Sequence, residues 1–401
     1  MFNDIKDKSL ARRVKEHVIG KEHLFFAVVQ PGFEDTARRE FLSMGFKVSP
    51  DFIEGGIEFS GRIDDCCRAC IMTRTSSRIV MRLGRFRSER FNLLEKDIAA
   101  FPWELYIPLS GEIRFRASAK KSMIYHTGKL EEIFARGISA RLKPYKADIS
   151  LNGEESPGDP AVSTLILRND NDLCHVSLDA SGEFLYKRGS REFVTKAPLR
   201  ESTAALILLE AGITNYDRIL DPMCGSGTFS MEAAGILTSS PAAAERRFAF
   251  MWWPCFKENN FLHIKKGCIS KTLPPGMIKA EIVTSDIDEK AVAVAKMNCR
   301  ALFPGLLNPE VINFFDIKPL RNKEIKTLIV MNPPYGKRIV EKDTPAFYRE
   351  IGRKIKKDFK DCGAAIIVPG EEAERALGIQ YNRKKLFMNG GIRSAILFKD
   401  A

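Results

Sequence analysis

The chain has 401 residues, of which 44% are hydrophobic, and it carries 63 lysines and arginines against 51 aspartates and glutamates. This length allows two or three domains with their own cores, and the net charge of +12 favours a polyanionic partner. No apolar run approaches the roughly 20 residues of a membrane-spanning helix, the charged segment 1–21 lacks a signal-peptide core, and the nine cysteines show no disulfide framework. We therefore expect a cytoplasmic enzyme or RNA-binding protein without a membrane partner.

The first part of the chain alternates short strands and helices. Segment 1–21 is predicted to be a basic helix or a frayed extension. Composition and apolar spacing predict strands at Leu24–Val29, Gly56–Ser60 and Ile79–Leu83, and helices at Phe33–Met44 and Asp64–Met72. This alternation in short units is typical of an α+β module. Cys67 and Cys70 have the spacing of half a zinc site, but a second such pair is missing, so we predict helix-packing thiols and no metal site.

Positive charge concentrates between Arg74 and Lys146. Some of these cations must simply solvate the surface, but the stretch 114–125 interleaves cations with small residues and aromatics. Phosphates require point charges, and close approach to a nucleic-acid backbone requires small side chains. We therefore predict an RNA-binding surface that includes Arg114, Arg116, Lys120, Lys121 and Tyr125.

The segment Arg78–Pro108, with Phe101-Pro-Trp-Glu-Leu-Tyr106 in it, resembles THUMP domains, the RNA-binding modules of RNA-modifying enzymes. Together with Leu24–Ser60, it resembles a ferredoxin-like module followed by a THUMP domain. The resemblance implies a ferredoxin-like module at 22–72 and a THUMP domain at 73–160, with a helix at Thr127–Leu142. After the turn-rich Asn152–Pro160 we expect a second α/β domain at 165–401, opening with strands at Leu165–Leu167, Leu173–Leu178 and Gly182–Arg188.

A glycine-containing loop follows the next predicted strand. The strand ends at Asp221, Gly225 and Gly227 allow a tight turn, and a helix is predicted at Phe229–Leu237. Dinucleotide-binding folds use the same device, but Ser230 stands where the third glycine of their fingerprint belongs. The loop instead resembles the S-adenosylmethionine loop of class I methyltransferases, which implies that Asp221 attracts the ammonium group of the donor. The donor-binding residues implied in this loop are Asp221, Pro222, Met223, Cys224, Gly225, Ser226, Gly227 and Thr228.

Three further strands also end in a polar side chain. They are predicted at Glu281–Ser285, Val311–Phe315 and Leu328–Met331, and they end at Asp286, Asp316 and Asn332. Open α/β sheets bind ligands at this end of their strands. We expect Asp286, with Ile287, to bind both ribose hydroxyls, and Asp316, with Ile317, to accept the adenine amino group. Each acid alone could be a strand cap. The succession of Asp221, Asp286, Asp316 and Asn332 at four strand ends favours a ligand site.

The remaining elements complete a seven-stranded sheet typical of class I methyltransferases. They are a helix at Glu289–Phe303, a strand at Ala364–Pro369, and a closing antiparallel hairpin of Lys384–Met388 and Arg393–Phe398. The aromatic insertion Ser239–Lys279 is expected to form a local core. Its Pro254-Cys255 pair is shared with cytosine C5 methyltransferases but does not follow a strand beside the glycine loop, so we exclude a nucleophilic cysteine there.

The turn Asn332-Pro-Pro-Tyr335 follows a buried strand that the two prolines must end. It offers a side-chain amide, free carbonyls and an aromatic ring, which together can hold a planar group that carries an exocyclic amine. The turn resembles the signature of methyltransferases that act on amino nitrogens of bases. That resemblance implies that Asn332, Pro333, Pro334 and Tyr335 are catalytic.

The whole pattern, with Ala197–Thr203 included, resembles the THUMP-containing guanine-N2 RNA methyltransferases related to the bacterial 23S rRNA large-subunit enzyme. The resemblance adds Ser202 and Thr203 to the donor-binding residues. It implies S-adenosylmethionine as the cofactor, rRNA as the substrate and no metal. A tRNA substrate and an adenine-N6 methyltransferase remain open alternatives. A non-catalytic RNA-binding assembly factor is the alternative from a different class.

Overall fold

The computed structural model describes residues 7–151, 162–189, 199–318, 324–334 and 344–401. It divides into two compact units, each assembled from more than one stretch of the chain. Unit 1 comprises 1–29, 38–185 and 243–268, and unit 2 comprises 30–37, 186–242 and 269–401.

The strands of the described residues are β1 (His23–Val28), β2 (Lys47–Val48), β3 (Gly56–Gly61), β4 (Arg78–Arg87), β5 (Ser110–Lys120), β6 (Asp148–Leu151), β7 (Ser163–Asp170), β8 (Leu173–Asp179), β9 (Arg218–Asp221), β10 (Glu281–Asp286), β11 (Glu310–Val311), β12 (Thr327–Met331), β13 (Gly363–Val368), β14 (Arg383–Asn389) and β15 (Ile392–Lys399).

The α-helices of the same residues are α1 (Lys8–Val14), α2 (Glu34–Ser43), α3 (Ile63–Met72), α4 (Phe91–Ala100), α5 (Thr127–Leu142), α6 (Glu201–Glu210), α7 (Thr228–Leu237), α8 (Glu258–Ile269), α9 (Glu289–Leu302), α10 (Thr344–Asp358) and α11 (Glu371–Leu377). None of these helices is both long and apolar enough to cross a bilayer.

Unit 1 is built on an eight-stranded sheet of order β2-β3-β1-β4-β8-β7-β5-β6. β1 pairs antiparallel with β3 and β4, β8 pairs antiparallel with β4 and β7, and β5 lies parallel to β6 and β7. Apolar residues alternate along the strands, so one face of the sheet is buried against helices. On that face Phe86 of β4 packs edge-on against Phe134 of α5, with ring centroids 5.8 Å apart. The predicted α+β character of this region is confirmed.

Two expectations for the chain after residue 160 differ from the structure. We placed the boundary near residue 165, whereas β7 and β8 complete the first sheet because they pair with β5 and β4, and unit 1 extends to Leu185. The strand expected at Gly182–Arg188 is absent from these residues, which form turns and bends. Part of the aromatic insertion, 243–268, also belongs to unit 1.

Glu104 is a buried carboxylate that joins three parts of unit 1. It accepts hydrogen bonds from Arg13 of α1 (2.7 Å), from Arg141 of α5 (2.6 and 2.9 Å) and from the Tyr145 hydroxyl (3.0 Å). Burial alone would raise the pKa of this carboxyl, but the hydrogen bonds from Arg141 and Arg13 outweigh it and lower the pKa to about 2. The described part of the basic extension is therefore a helix anchored to unit 1.

Unit 2 is built on a seven-stranded sheet of order β11-β10-β9-β12-β13-β15-β14. β9 pairs parallel with β10 and β12, β13 continues the parallel part, and β15 and β14 close it as an antiparallel hairpin. β12 and β13 are buried on both faces, as their continuous apolar runs predict. The predicted seven-stranded α/β sheet is confirmed.

The third strand of this sheet is shorter than expected. We predicted Val311–Phe315, but β11 contains only Glu310 and Val311. The side chain of Asn313 accepts a hydrogen bond from the backbone of Phe315 at 3.0 Å and caps a 3-10 turn over Phe314–Asp316. An asparagine that bonds the backbone two residues ahead competes with the strand ladder, so the strand ends early.

We expect Glu104→Gln to lower the free energy of unfolding of unit 1 by about 3 kcal/mol at neutral pH, because two arginines lose their buried counter-charge. The Glu104 pKa is depressed to about 2 from about 4.3 in an unfolded chain, so the ionised form stabilises the fold above pH 4.3. The difference between wild type and variant should therefore shrink as the pH falls from about 4 to about 2. Urea unfolding followed by tryptophan fluorescence measures it, because Trp103, Trp252 and Trp253 all lie in unit 1.

Glu95→Gln is the matched control. Glu95 is 2.8 Å from Arg136, and their side chains are 38% and 51% exposed. Such a surface ion pair contributes about 0–1 kcal/mol. Equal losses in the two variants would contradict the anchoring role of Glu104.

Candidate active site

A cavity of about 630 Å³ opens at the carboxyl ends of β9, β10 and β12 in unit 2. This edge is where open parallel sheets bind ligands. The lining residues are Pro222, Met223, Gly225, Asp286, Ile287, Asp288, Ala291, Asn313, Phe314, Phe315, Asn332, Pro334 and Phe347. The structure therefore brings together residues from three of the predicted strand ends.

The glycine loop between β9 and α7 uses left-handed backbone at two positions. Gly225 has φ +54° and Gly227 has φ +85°. L-residues with a side chain rarely adopt these angles, so glycine is required for the turn. The Gly225 N–H donates to Asp286 Oδ2 at 2.8 Å, which ties the loop to the end of β10. The amide of Gly227 bonds the carbonyl of Cys224 at 2.8 Å, and α7 begins at the next residue.

Asp221 lies beneath this loop, with no solvent exposure, and does not line the cavity. Its Oδ2 accepts hydrogen bonds from the Ser230 amide (3.2 Å) and hydroxyl (2.8 Å), and the Thr284 hydroxyl donates to Ser230 Oγ at 2.8 Å. Its Oδ1 has no hydrogen-bond partner in the described part of the chain. Burial is the main reason that the pKa of Asp221 is raised to about 7, and the charge of Asp286 adds to the effect. Asp221 therefore sets the position and the electrostatics of the loop.

Asp286 lies at the cavity wall, as expected. Its Oδ2 accepts from Gly225 and its Oδ1 accepts from the amide of Asp288 at 3.0 Å. A carboxylate oxygen has two lone pairs, so each oxygen can accept one more donor. Ile287 follows with 66% exposure and also lines the cavity. This arrangement can accept two neighbouring hydroxyls.

Asn332 lines the cavity at the end of β12. Its Oδ1 is buried and has no hydrogen-bond partner among the described residues. A buried acceptor without a partner costs about 1–3 kcal/mol, so this oxygen is suited to a donor on a ligand. Pro333 is buried, Pro334 lines the cavity, and Tyr335 lies outside the described residues.

Several predicted donor-binding residues do not line the cavity. Asp316 is exposed in the 3-10 turn, and Ile317 packs against the core below it. Ser202 and Thr203 lie buried in the first turn of α6. In the glycine loop, four further predicted residues are not part of the cavity lining: Cys224, Ser226, Gly227 and Thr228. The expected adenine contact of Asp316 is not supported, because the short β11 turns this side chain to solvent.

Six lining residues of the cavity are absent from the predicted site: Asp288, Ala291, Asn313, Phe314, Phe315 and Phe347. Residues 313–315 belong to the predicted strand Val311–Phe315, Asp288 and Ala291 lie at the start of α9, and Phe347 lies on α10. The rings of Phe315 and Phe347 pack edge-on with centroids 6.1 Å apart. A possible signal was the Asn-Phe-Phe-Asp order at 313–316, in which asparagine favours a turn over a strand. Nothing in the sequence around Phe347 indicates a cavity residue, because its spacing in the helix is that of an ordinary packing position.

The predicted RNA-binding residues lie in unit 1, along β5 and the loop after it. Arg114 is 2.8 Å from Glu112 and its side chain is 12% exposed, whereas Arg116 and Lys120 are exposed on the same strand. Lys121 adopts left-handed backbone with φ 49°. Tyr125 is 68% exposed, with its ring centroid 4.1 Å from that of His126. Among the described residues no group of three or more His, Cys, Asp or Glu side chains is arranged to hold a metal ion.

Comparison with known proteins gives two family matches. The family UPF0020, described as RMKL-like, methyltransferase domain, matches residues 188–395, just over half of the chain. The family described as RlmL ferredoxin-like domain matches residues 24–80.

Individual relatives extend over nearly the whole chain. The ribosomal RNA large subunit methyltransferase K/L of Syntrophotalea carbinolica is 28% identical over 394 residues, covering 93% of this chain and 53% of that protein. The Synechocystis protein named "Putative RNA methyltransferase slr0064" is 27% identical and is covered over 95% of its length, with 93% of this chain. The crystal structure of SMU.472, described as complexed with SAH, has a TM-score of 0.81 at 25% identity and covers 95% of this chain and 98% of its own. This chain thus spans about half the length of the first relative.

We expect Asp221 to titrate near neutral pH. Infrared spectra recorded from about pH 5 to about pH 9 should show one protonated carboxylic acid that disappears with a midpoint near 7. Asp221→Asn should remove that signal, because the buried carboxyl is gone. Asp288→Asn, at an exposed carboxylate of the same cavity, should leave it in place. A signal that survives Asp221→Asn would assign the buried acid to another residue.

Proposed function

The chain belongs to the UPF0020 family, described as RMKL-like, methyltransferase domain, and from that premise we propose that it transfers a methyl group from S-adenosylmethionine to an exocyclic base amine in RNA. The observation that carries the proposal is the buried, unpartnered Oδ1 of Asn332 in the cavity that the glycine loop also lines. The target we propose is the N2 amine of a guanosine in rRNA of the large ribosomal subunit. The name of the Syntrophotalea carbinolica relative supports an rRNA substrate.

The residues of the cavity fit the proposed donor. The left-handed turn at Gly225 lets a ligand approach the loop backbone closely. Asp286 keeps a free lone pair on each oxygen for the two ribose hydroxyls. Asn313 lies at the position where an edge of the adenine is expected, in place of Asp316, and Ile287 and Phe315 offer apolar contacts for its faces. Asp221 does not contact the donor in this proposal. It contributes its charge and fixes the loop by accepting hydrogen bonds from Ser230.

The chemistry supplied by the donor is a methyl group on a positively charged sulfonium, which a neutral amine can attack. Asn332 Oδ1 and the Pro333 carbonyl would each accept one N–H of that amine, which directs its lone pair toward the methyl carbon. The nitrogen–carbon bond forms as the carbon–sulfur bond breaks with its electron pair, and the extra amine proton leaves to solvent. Orientation supplies most of the gain, and well-positioned groups contribute up to about 7–11 kcal/mol.

The base must leave its helix or loop to reach this turn, as in other enzymes that modify bases. We propose that Tyr335 stacks on the exposed base, and that unit 1 holds the surrounding RNA through Arg114, Arg116, Lys120, Lys121 and Tyr125. In this proposal 73–160 is the THUMP RNA-binding domain. The enzyme works in the cytoplasm, and tRNA is the alternative substrate.

We expect Asn332→Ala to lower the methyl-transfer rate by about 10²–10³-fold, because one positioned polar group at the reacting centre is removed. Affinity for S-adenosylhomocysteine, measured by calorimetry, should stay near the wild-type value because the loop is untouched. Asn308→Ala, at an exposed asparagine outside the cavity, should transfer methyl groups at the wild-type rate. The assay is tritium transfer to ribosomal RNA from a strain that lacks the gene.

Nucleoside mass spectrometry of the same reactions identifies the product. We expect N2-methylguanosine. N6-methyladenosine would keep the enzyme class and reject the guanine assignment. Wild-type protein that binds donor and RNA but transfers no methyl group to any tested RNA would favour the non-catalytic assembly factor.

We expect Asp286→Ala to weaken binding of S-adenosylmethionine by about 1.5–3 kcal/mol, because hydrogen bonds to a charged acceptor are lost. Asp316→Ala is the matched control, since this carboxylate is exposed and does not line the cavity. Calorimetry should show wild-type affinity for this control. The ribose assignment fails if both variants bind the donor as tightly as wild type, and the original adenine assignment of Asp316 returns if only the control weakens.

A further inference from the structure

The eight-stranded sheet of unit 1 has one helix-covered face and one polar face. Phe86 and Met81 of β4 are buried, and Phe86 packs against α5, so they mark the covered face. Side chains that alternate with them point to the opposite side. The register of β4 shifts between Arg82 and Gly84, so Arg82 and Arg85 both fall on that opposite side although they are three residues apart.

A row of cations crosses the middle of the polar face. Arg85 of β4 and Arg168 of β7 are both direct cross-strand partners of His175 on β8. Directly paired residues of neighbouring strands share a face and lie about 4.5–5.5 Å apart. Ser118 of β5 is the next partner, opposite Arg168. The row spans four strands, or roughly 14 Å at the usual strand spacing.

Arg82 lies in the neighbouring row. It bonds Glu58 and the Ser177 hydroxyl, each at 3.2 Å, and its guanidinium lies 4.4 Å from the centroid of the Phe26 ring. These contacts hold a half-buried cation beside the row described above. The one acid that faces Arg82 in the described residues, Glu58, is occupied by this ion pair.

Arg85 and Arg168 are different, because both side chains are exposed to solvent. Neither guanidinium forms a hydrogen bond or ion pair with another residue in the described ranges. At the other end of β4, in contrast, Arg78 is buried, paired with Asp179 and covered by the Phe184 ring. Uncompensated charge is thus concentrated on the open part of the face.

His175 lies between Arg85 and Arg168 in this row and is affected by the same positive charges. Burial lowers the pKa of its imidazole, and the positive charges of Arg85 and Arg82 lower it further. A cationic environment that disfavours a further proton is one that favours an anion.

We propose that the cationic sheet face, defined by Arg82, Arg85, Arg168 and His175, binds the phosphate backbone of the substrate RNA. The inference rests on the proposed function for the identity of the polyanion. Point charges on an open sheet face, separated by small side chains such as Ser118 and Ser177, suit the wide, shallow groove and phosphates of structured RNA. This surface is continuous with Arg116 of β5 through Ile166, the shared cross-strand partner of Arg116 and Ser177.

The test is the double variant Arg85→Glu/Arg168→Glu in the full chain. Binding to a fluorescein-labelled RNA hairpin should weaken at least about tenfold at low salt, and the slope of log affinity against log salt should fall by about 2, one for each lost phosphate contact. Lys96→Glu/Lys129→Glu is the matched control, because it makes the same charge change on exposed residues of α4 and α5. The control should retain most of the affinity and the wild-type slope.

Tryptophan fluorescence, which reports on unit 1, and calorimetric binding of S-adenosylhomocysteine, which reports on unit 2, confirm that each variant is folded. If the folded double variant keeps the wild-type affinity and slope, or if the control loses as much, the cationic sheet face is not the RNA surface. Methyl transfer is measured in parallel so that the two proposals separate. Wild type that methylates RNA while the double variant binds normally overturns only this inference, whereas RNA binding that depends on Arg85 and Arg168 without methyl transfer overturns only the proposed enzyme activity.

Discussion

The hydrogen bonds that Ser230 donates to Asp221 hold the start of α7 against the end of β9, at the centre of the second sheet. The glycine loop must span this fixed distance, which explains its two left-handed residues. The loop is then fastened to β10 because Gly225 donates to Asp286. Asn332 lies on the other side of β9, because β12, which ends just before Asn332, pairs in parallel with β9. One buried carboxylate thus fixes the glycine loop at the end of β9, and strand pairing places the amide of Asn332 beside it.

The buried carboxylate of Asp221 also favours a positively charged ligand near the loop. A fully buried acid with one unpartnered oxygen is costly to ionise, and its raised pKa expresses that cost. A positive charge bound near the loop would offset it. The same argument applies to Asn332, because its buried Oδ1 without a hydrogen-bond donor costs free energy. Both groups destabilise the free protein, and a ligand that supplies the missing charge or donor would remove that cost.

Much of the second unit could be predicted from the sequence, because buried parallel strands form short apolar runs and their ends carry conspicuous polar residues. Asp286 and Asn332 were selected in this way, and both line the cavity. The strand predicted before Asp316 was too long because the pattern cannot show that Asn313 caps a turn two residues after β11 ends. Phe347 was missed because a residue distant in sequence reaches the cavity only through the packing of α10. In the first unit, the pairing of β7 and β8 with earlier strands depends on long-range register, which local composition does not contain.

The two units exchange segments, since 30–37 lies with the second and 243–268 with the first. The backbone therefore passes between the two bodies five times, and no single peptide bond separates one complete body from the other. A protease that cuts between residues 185 and 186 would give two fragments, each with segments of both bodies, so only non-covalent packing would hold them together. A gene fragment that ends near residue 165 would lack two central strands of the first sheet, and recombination with a relative at that point would exchange neither body whole. Each of the two cores therefore needs residues from both the first and the second half of the chain.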